Sequence, residues 1–382
     1  MGPLHGVRIL EFEAIGPAPF CSMLLADMGA DVVLVDRISD ARLGFGRERW
    51  YDVMFRGRRS VTLDLKSEDG IAAALLLADK ADAIIEGFRP GVMERLGLGP
   101  DVLLARSPKL VYGRMTGWGQ QGPLAARAGH DIDYVALSGA LHAIGRSGDA
   151  PVPPLNLVGD FGGGGMLLAF GIACALLDAQ RAGKGQVVDA AMIDGASLLT
   201  TMFWGMQAAG NWSDVRGANV LDSGAPWYDT YATKDGKFVA IGAIEPKFYL
   251  ELLDRLGLGG DALPEQNDRA AWPILRQRFA ATIRTRTRDE WCRAFEDSDA
   301  CLAPVLTFRE AAAHPHAVAR GAHITMDGVT QPAPAPRFSR TPGAVRRGPP
   351  ERGAGGRQAL EDWGFANEEV ERLAALGLGF TS

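Results

Sequence analysis

The chain has 382 residues, 47% of them hydrophobic and 23% charged, as in a folded globular enzyme and unlike a disordered chain. Its formal net charge is -6 at pH 7, from 40 basic and 46 acidic side chains, whereas a non-specific nucleic-acid binder is usually basic. The negative net charge therefore argues against a nucleic-acid partner. Because the length exceeds what one hydrophobic core usually holds, we expect two domains.

Targeting and redox signals predict a cytoplasmic protein without a membrane span. The first residues lack the apolar run of a signal peptide. The longest apolar run, Met166 to Leu177, is shorter than the ~20 residues that a helix needs to cross a bilayer. The cysteines form no close CxxC pair, so we expect buried, reduced thiols rather than disulfides or metal ligands. They are Cys21, Cys174, Cys292 and Cys301.

In the N-terminal region, predicted strands alternate with predicted helices, which indicates a parallel sheet covered by helices. The predicted strands are Val7 to Phe12, Asp31 to Asp36, Asp82 to Glu86 and Leu110 to Met115. The predicted helices are Phe20 to Met28, a helix capped by Ser67 that runs to about Asp79, and a short helix opened by Pro90.

The pair Asp36-Arg37 follows the second predicted strand, where dinucleotide-binding folds contact ribose and phosphate. We therefore predict an α/β fold with a Rossmann-like parallel sheet. The first loop offers only Gly16 and no GxGxxG fingerprint, which argues against an NAD-dependent oxidoreductase.

Composition changes after about residue 220, and we expect three parts. Residues 1–220 form a large α/β domain with linker helices. Residues 221–328 form a smaller α+β domain with a hairpin over Tyr228 to Ile244, turning at Asp235-Gly236, followed by amphipathic helices. Residues 329–382 form a return strap and a C-terminal helix, Asn367 to Leu376, that packs on the large domain.

Four consecutive glycines, Gly162 to Gly165, precede an apolar segment that starts at Met166. One interpretation is a flexible turn before a buried helix. The other is close approach of a ligand to the backbone at a helix N-terminus. The residues alone leave both interpretations open.

Three further features could carry chemistry. Basic side chains cluster in the first hundred positions, and they are either solvated surface charge or contacts to the phosphates of an anionic ligand. His130 lies among acidic residues in the segment Gly129 to Tyr134, and Asp160 comes just before the glycine run. Each of the last two features alone is more often structural than catalytic. The basic cluster comprises Arg37, Arg56, Arg58, Arg59, Lys66, Arg89 and Arg95.

A series of motifs along nearly the whole chain, in a fixed order, connects these features to one protein family. They include GPLHGVRILE, GADVVLVDR, SVTLDLK, GFRPGVMERLGLGP, AGHDIDYVALSGAL, PLNLVGDFGGGG, GKGQVVDAAMIDG, GAPWYDTYATKDGKFVAIGAIEPKFY and DACLAPVLTF. In these runs the chain resembles the α-methylacyl-CoA racemases of the family III CoA-transferase superfamily.

The resemblance implies an isomerase of lipid metabolism that interconverts (2R)- and (2S)-2-methylacyl-CoA thioesters through an enolate. It implies a catalytic base at His130, an acid/base at Asp160 and a further active-site carboxylate at Glu245, expected to act in the partner subunit of an interlocked homodimer. Coenzyme A is then part of the substrate, and we expect no separate cofactor and no metal. The implied coenzyme A contacts are Arg37, Leu63, Asp64, Leu65, Lys66, Gly87, Phe88, Arg89, Arg95, Gly129, Asp131, Ile132, Asp133 and Tyr134.

The chemistry of racemisation suits this residue pair, because one group must take the α-proton from one face and another return it on the other. Asp160 must then be partly neutral near pH 7, which burial beside Phe161 would favour. We expect a backbone N–H at Gly162 to Gly165 to stabilise the enolate.

Two departures from the relatives bear on the acyl pocket. Glu13-Ala14 stands where we expect a small residue followed by glycine, and Gly159 stands where relatives commonly have alanine. The alternative function is a CoA-transferase of the same superfamily, with Asp160 as the nucleophile. A transferase of this type does not need a histidine opposite the carboxylate, so His130 discriminates between the two.

Overall fold

The computed structural model describes residues 2–39 and 48–381. Its strands are β1 Arg8–Phe12, β2 Asp31–Arg37, β3 Arg58–Leu63, β4 Ala83–Glu86, β5 Val111–Thr116, β6 Val187–Ala191, β7 Tyr228–Ala232, β8 Phe238–Gly242, β9 Leu302–Pro304, β10 His323–Met326 and β11 Val329–Pro332. Its helices are α1 Pro17–Asp27, α2 Glu68–Ala78, α3 Val92–Arg95, α4 Pro100–Arg106, α5 Asp131–Leu137, α6 Ala140–Ala143, α7 Leu167–Ala182, α8 Met192–Leu199, α9 Thr201–Ala208, α10 Pro246–Leu256, α11 Trp272–Ile283, α12 Arg288–Ala294, α13 Phe308–Ala313, α14 Pro315–Ala319, α15 Gly356–Asp362 and α16 Asn367–Ala375.

Six parallel strands form the central sheet in the order β3-β2-β1-β4-β5-β6. Successive residues of β1 enter the two cores on opposite faces of this sheet, Ile9 one core and Leu10 the other, as strand geometry requires. The predicted Rossmann-like fold is therefore confirmed. The strand order reverses between β1 and β4, and ligands of such sheets bind outside the carboxyl ends of the strands at this point.

Two compact units divide the chain. The larger comprises Met1–Ser138, Leu155–Thr200 and Val318–Ser382, and the smaller comprises Gly139–Pro154 and Thr201–Ala317. These bounds differ from the predicted divisions at 220 and 328. The segment 139–154 belongs to the smaller unit because Arg146 there pairs with Asp229, and because Arg216 donates to the carbonyl oxygen of His142 at 2.7 Å.

The smaller unit contains an antiparallel sheet of β7, β8 and β9, packed on helices by a core rich in tryptophan. The predicted hairpin is confirmed: β7 pairs with β8, and Gly236 in the connecting turn has a φ of 74°. In the larger unit, α15 and α16 contribute Leu360, Val370 and Leu373 to one of the two sheet cores.

The glycine run lies inside a helix, so of its two interpretations the flexible turn is wrong. A π-helical segment, Leu157–Met166, leads directly into α7. A Cβ on Gly163 would lie 2.6 Å from the backbone nitrogen of Ala196, and one on Gly165 would lie 2.5 Å from the carbonyl oxygen of Pro17. The glycines therefore permit close approach of α8 and α1. Because the helical stretch begins at Leu157, the expected enolate-binding helix start at these glycines is also wrong.

By length and composition, the continuous stretch Leu157–Ala182 is long and apolar enough to cross a membrane. However, 44% of its most apolar part is buried, and Leu168 and Ile172 pack in the sheet core. The core helix of a globular protein can have the same length and composition.

All four cysteines are free, but only Cys21 is fully buried. Cys174 and Cys301 are exposed, which corrects the expectation that all four lie in the interior. Burial raises the pKa of the Cys21 thiol well above its usual value, as expected for an inert core thiol.

Candidate active site

A cavity of about 900 Å³ opens at the carboxyl ends of β1, β4 and β5 in the larger unit. Its walls include the loops that follow these strands: Ile15 to Pro17, Gly87 to Pro90 and Thr116 to Trp118. The segments 127–132 and 155–156, with Asp160, complete much of the lining. The cavity thus lies where the strand order reverses, the usual ligand position in this kind of sheet.

His130 lies on the cavity wall, immediately before α5. Its backbone N–H donates to the Asp133 carboxylate at 2.9 Å. The preceding Gly129 packs against Trp118 and Tyr134, whose rings meet edge to face at 4.7 Å, and a Cβ at Gly129 would lie within 3.0 Å of both rings. This aromatic support fixes the backbone of His130, while its side chain remains exposed.

Asp160 lies on the π-helical segment and lines the same cavity. One carboxylate oxygen accepts a hydrogen bond from Asn156 Nδ2 at 3.2 Å. A Cβ on Gly16, whose φ is 68°, would lie 3.1 Å from that same oxygen, so a side chain there would strain the backbone and press on the carboxylate.

Burial raises the pKa of Asp160 above its usual value. The hydrogen bond from Asn156 opposes this rise, the nearby Asp131 carboxylate adds to it, and His130 opposes it. The net result is a carboxyl group that holds its proton at higher pH than an exposed aspartate does, which is the property that an acid/base partner needs.

Asp131 connects the two helices that carry His130 and Asp160. Its Oδ1 accepts from the backbone N–H of Asp160 at 2.7 Å, across the interface between α5 and the π-helical segment. A Cβ at Gly159 would lie 2.5 Å from this oxygen, so the glycine makes the contact possible. The other oxygen, Oδ2, is buried and has no hydrogen-bond partner among the described residues.

The structure brings together seven of the residues implied as coenzyme A contacts. The seven that line the cavity are Gly87, Phe88, Arg89, Gly129, Asp131, Ile132 and Tyr134. Burial raises the pKa of Tyr134 to about 12, so its phenol stays neutral at physiological pH.

The remaining implied contacts are not among the described residues that line this cavity. Arg37 and Leu63 pair in register at the carboxyl ends of β2 and β3, and the turn Asp64-Leu65-Lys66 follows directly. Arg95 ends α3. Asp133 contacts the backbone of His130 instead. Glu245 is exposed and immediately precedes α10 in the smaller unit.

Several residues of the cavity were not identified from the sequence, among them the polar or aromatic side chains Asn156, Trp118 and Arg127. The spacing of Asn156 and Asp160 is i, i+4, which places side chains on the same helix face and offered a usable signal. Trp118 and Arg127 gave no comparable signal, because their role depends on how loops from distant parts of the chain meet.

The unexpected Glu13 has a structural function. Its carboxylate accepts two hydrogen bonds from Arg352 of the C-terminal strap, at 2.8 and 3.1 Å, and one from the backbone N–H of Arg37 at 2.9 Å. Arg352 also donates to the carbonyl oxygen of Arg37 at 3.0 Å. The backbone of Arg37 is thus held on both sides.

Residues 2–39 and 48–381 contain no group of three or more His, Cys, Asp or Glu side chains that could hold a metal ion.

Comparison with known proteins agrees with this geometry. The model of CoA-transferase family III matches residues 4–355. A solved structure of a CaiB/BaiF family protein from Brucella suis superposes with a TM-score of 0.82 at 26% identity, covering 95% of this chain and 99% of that one. The chain belongs to CoA-transferase family III.

Within that family, the chain is similar to proteins named alpha-methylacyl-CoA racemase. It is 46% identical to the one from Mus musculus and 45% identical to the one from Homo sapiens. Each comparison covers 97% of this chain and 96% of the relative.

Proposed function

We propose that the chain is an α-methylacyl-CoA racemase that interconverts the (2R) and (2S) forms of 2-methylacyl-CoA thioesters. The observation that carries the proposal is that His130 and Asp160 line one cavity and that the pKa of Asp160 is raised. A base and a partly neutral acid facing one ligand site are what two-sided proton transfer requires.

In the proposed reaction the pair shares one proton. With one enantiomer, neutral His130 takes the α-proton and protonated Asp160 returns a proton to the opposite face. With the other enantiomer, the Asp160 carboxylate takes the proton and the His130 imidazolium returns it. Both directions pass through the same enolate, and each needs its own starting protonation state.

The acyl-CoA substrate would bring coenzyme A as part of itself, so the proposal includes no separate cofactor. Arg89 and Arg127 line the cavity and supply positive charge for an anionic ligand. The remaining implied coenzyme contacts at Arg37 and Leu63 to Lys66 extend the proposed site along the same edge of the sheet. A cytoplasmic location and a role in lipid metabolism remain predictions from sequence and resemblance.

We further propose that the chain works as an interlocked homodimer in which Glu245 completes the partner's site. Support comes from the end of the π-helical segment and from α7, where Met166, Phe170 and Leu177 are exposed along one side. This row, with the intervening exposed Ala173 and Cys174, is termed the apolar face below. Exposed apolar patches of this kind commonly mark protein–protein interfaces.

A family III CoA-transferase is the alternative function, and the family assignment together with the cavity carboxylate Asp160 supports it. In that reaction Asp160 would attack the thioester carbonyl and form an acyl anhydride, releasing coenzyme A. A histidine in the same cavity has no required part in that scheme, which is why we favour the racemase.

Incubation of the protein with one enantiomer of a 2-methylacyl-CoA in D2O, without an acceptor acid, tests the proposal. We expect α-deuterium uptake by mass spectrometry together with loss of optical purity. His130→Ala and Asp160→Ala should each slow racemisation by about 10²–10⁴-fold, the usual contribution of a positioned acid or base. The exposed His316→Ala should keep the wild-type rate.

Absence of exchange, combined with coenzyme A transfer once a free carboxylic acid is added, would replace the racemase with the transferase. Wild-type racemisation in His130→Ala would contradict the two-base scheme.

A further inference from the structure

A chain of three ionisable groups lies behind one wall of the cavity, and two of them, Glu86 and Arg114, are buried. Glu86 ends β4, its side chain is 1% exposed, and one of its oxygens accepts the backbone N–H of Phe88 at 2.7 Å. Arg114, opposite Glu86 in the register of β4 and β5, donates Nε to the other oxygen at 3.1 Å. Both acceptor oxygens of the carboxylate are thus occupied.

The same arginine reaches the far end of the cavity loop. Its Nη1 and Nη2 donate to the two carboxylate oxygens of Glu94 on α3, at 2.8 and 3.3 Å. The loop Gly87 to Pro90, which lines the cavity, lies between Glu86 and Glu94 in sequence. One guanidinium group therefore binds the carboxylates on both sides of this loop, Glu86 before it and Glu94 after it. Its planar arrangement of several N–H donors makes such simultaneous bonds possible.

We propose that Glu86, Arg114 and Glu94 form a clamp of positioning residues that sets the place of the Gly87 to Pro90 loop and thereby the affinity for the coenzyme part of the substrate. The inference rests on the proposed acyl-CoA function. The clamp does not itself line the cavity in the described chain, so it would act through Phe88 and Arg89, which do.

The loop packs tightly enough to transmit a displacement. A Cβ at Gly87 would lie 2.9 Å from Ala14 Cβ and 3.4 Å from Ala18 Cβ. The loop after β1 then leads to Gly16, which lies against the Asp160 carboxylate. Release of the clamp should therefore move Phe88 and Arg89 directly and Asp160 only through an intermediate loop, so binding should suffer more than turnover.

The clamp also contains a group that titrates near neutrality. Burial raises the pKa of Glu86 to about 7, although the Phe88 N–H and Arg114 oppose the rise. The charged and titratable groups facing it are Arg114 and Tyr112 on β5 and Glu94 on α3; the Tyr112 hydroxyl donates to a backbone carbonyl oxygen. As pH falls through 7, Glu86 gains a proton and loses its ionic attraction to Arg114, so coenzyme affinity should decrease.

Glu86→Gln tests the clamp. Its amide has one acceptor oxygen, so its NH2 group must face either the Phe88 N–H or Arg114 Nε, both of which are donors. We expect the Kd for coenzyme A, measured by titration calorimetry from pH 6 to 8.5, to rise about tenfold, as loss of one hydrogen bond to a charged group implies. KM for the 2-methylacyl-CoA should rise with it, kcat should change much less, and the change of Kd around pH 7 should disappear.

Asp27→Asn is the matched control. Asp27 is also a buried carboxylate paired with an arginine, Arg56, and burial also raises its pKa, but it ends α1 away from the cavity lining. Asp27→Asn should lower the free energy of unfolding without changing the Kd for coenzyme A or the pH dependence of that Kd. An equal change of Kd in this control would reduce the effect to general destabilisation and overturn the proposal.

Wild-type Kd, KM and pH dependence in Glu86→Gln would also overturn it. If that variant does not fold, Glu94→Gln decides, because the Glu94 side chain is 44% exposed and its replacement leaves the buried Glu86–Arg114 pair intact. We expect a smaller rise in Kd there, and an unchanged Kd would reject the clamp. Because coenzyme A binding is measured without turnover, failure of the racemase proposal would appear separately, as a wild-type protein without deuterium exchange.

Discussion

At the scale of single residues, Asn156 adjusts the proton affinity of Asp160. Its amide donates to the carboxylate, and this bond lowers a pKa that burial raises. Asn156→Ala should therefore raise the pKa of Asp160 further. In the direction of reaction that starts from ionised Asp160, the acidic limb of the pH–rate profile of deuterium exchange should move to higher pH.

The control for this prediction is Asn267→Ala, at an exposed position of the smaller unit. It should leave the profile unchanged. If Asn156→Ala lowered the rate equally at all pH values, with the limb in place, the amide would position the carboxylate without adjusting its proton affinity.

The predictability of the site differs from residue to residue. His130 and Asp160 were identified through ordered motifs, and the structure places both in one cavity. Glu13 was recognised only as a departure, because its partner Arg352 is 339 positions away and no local pattern connects them. Pairs of this kind depend on the tertiary fold and cannot be predicted from local sequence patterns.

At the scale of elements, the contact between the π-helical segment and α8 depends on two facing glycines. A Cβ on Gly195 would lie 1.8 Å from the carbonyl oxygen of Gly163 and 2.4 Å from its carbonyl carbon. Gly195→Ala must push the two backbones apart, and we expect a loss of about 1–3 kcal/mol in the free energy of unfolding. Because the displaced segment carries Asp160, exchange activity should also fall.

Urea unfolding of Gly195→Ala and Gly205→Ala measures this effect. Gly205 lies within α9, where a Cβ would meet no atom within 4 Å. The alanine there should raise stability by about 0.5–1 kcal/mol, since glycine weakens a helix interior. Equal responses of the two variants would show that the close approach does not hold the segment in place.

The contact between the π-helical segment and α8 also explains why the helical state of the glycine run was not predicted, although four strands of the main sheet were predicted correctly. The four predicted strands of the main sheet agree with the structure within about one residue at each end, because buried parallel strands have continuous apolar sequences. The glycine run was interpreted as a turn or ligand contact because four glycines disfavour a helix by intrinsic propensity. Packing against α1 and α8 overrides that propensity, and such packing cannot be inferred from the run itself.

At the scale of the whole molecule, the alternation of strands and helices was sufficient to predict a parallel sheet. The bounds of the smaller unit were less accessible. Segment 139–154 belongs to the smaller unit together with residues far along the chain, and the ion pair of Arg146 with Asp229 connects them. The amino-acid composition of the segment does not indicate this pairing. A division of the chain into consecutive segments cannot represent a unit to which the chain returns after leaving it.

The proposed homodimer leads to a prediction about the apolar face. Phe170 is 68% exposed on α7, and an aspartate there would bring an unpaired charge into an interface that excludes water. Wild-type protein should sediment as a dimer, and Phe170→Asp should shift the population toward monomer. Exchange activity should fall with the dimer fraction, because Glu245 is proposed to act in the partner's site.

Phe308→Asp is the control, since this side chain is 90% exposed on α13 in the smaller unit. It should leave both the sedimentation and the activity unchanged. A fully active wild-type monomer would contradict the dimer. If such a monomer bound phospholipid vesicles and Phe170→Asp did not, the apolar face would contact lipid instead, as the length and hydropathy of the Leu157–Ala182 stretch also permit. If Phe170→Asp loses exchange activity in proportion to its loss of dimer, each active site needs residues from two chains.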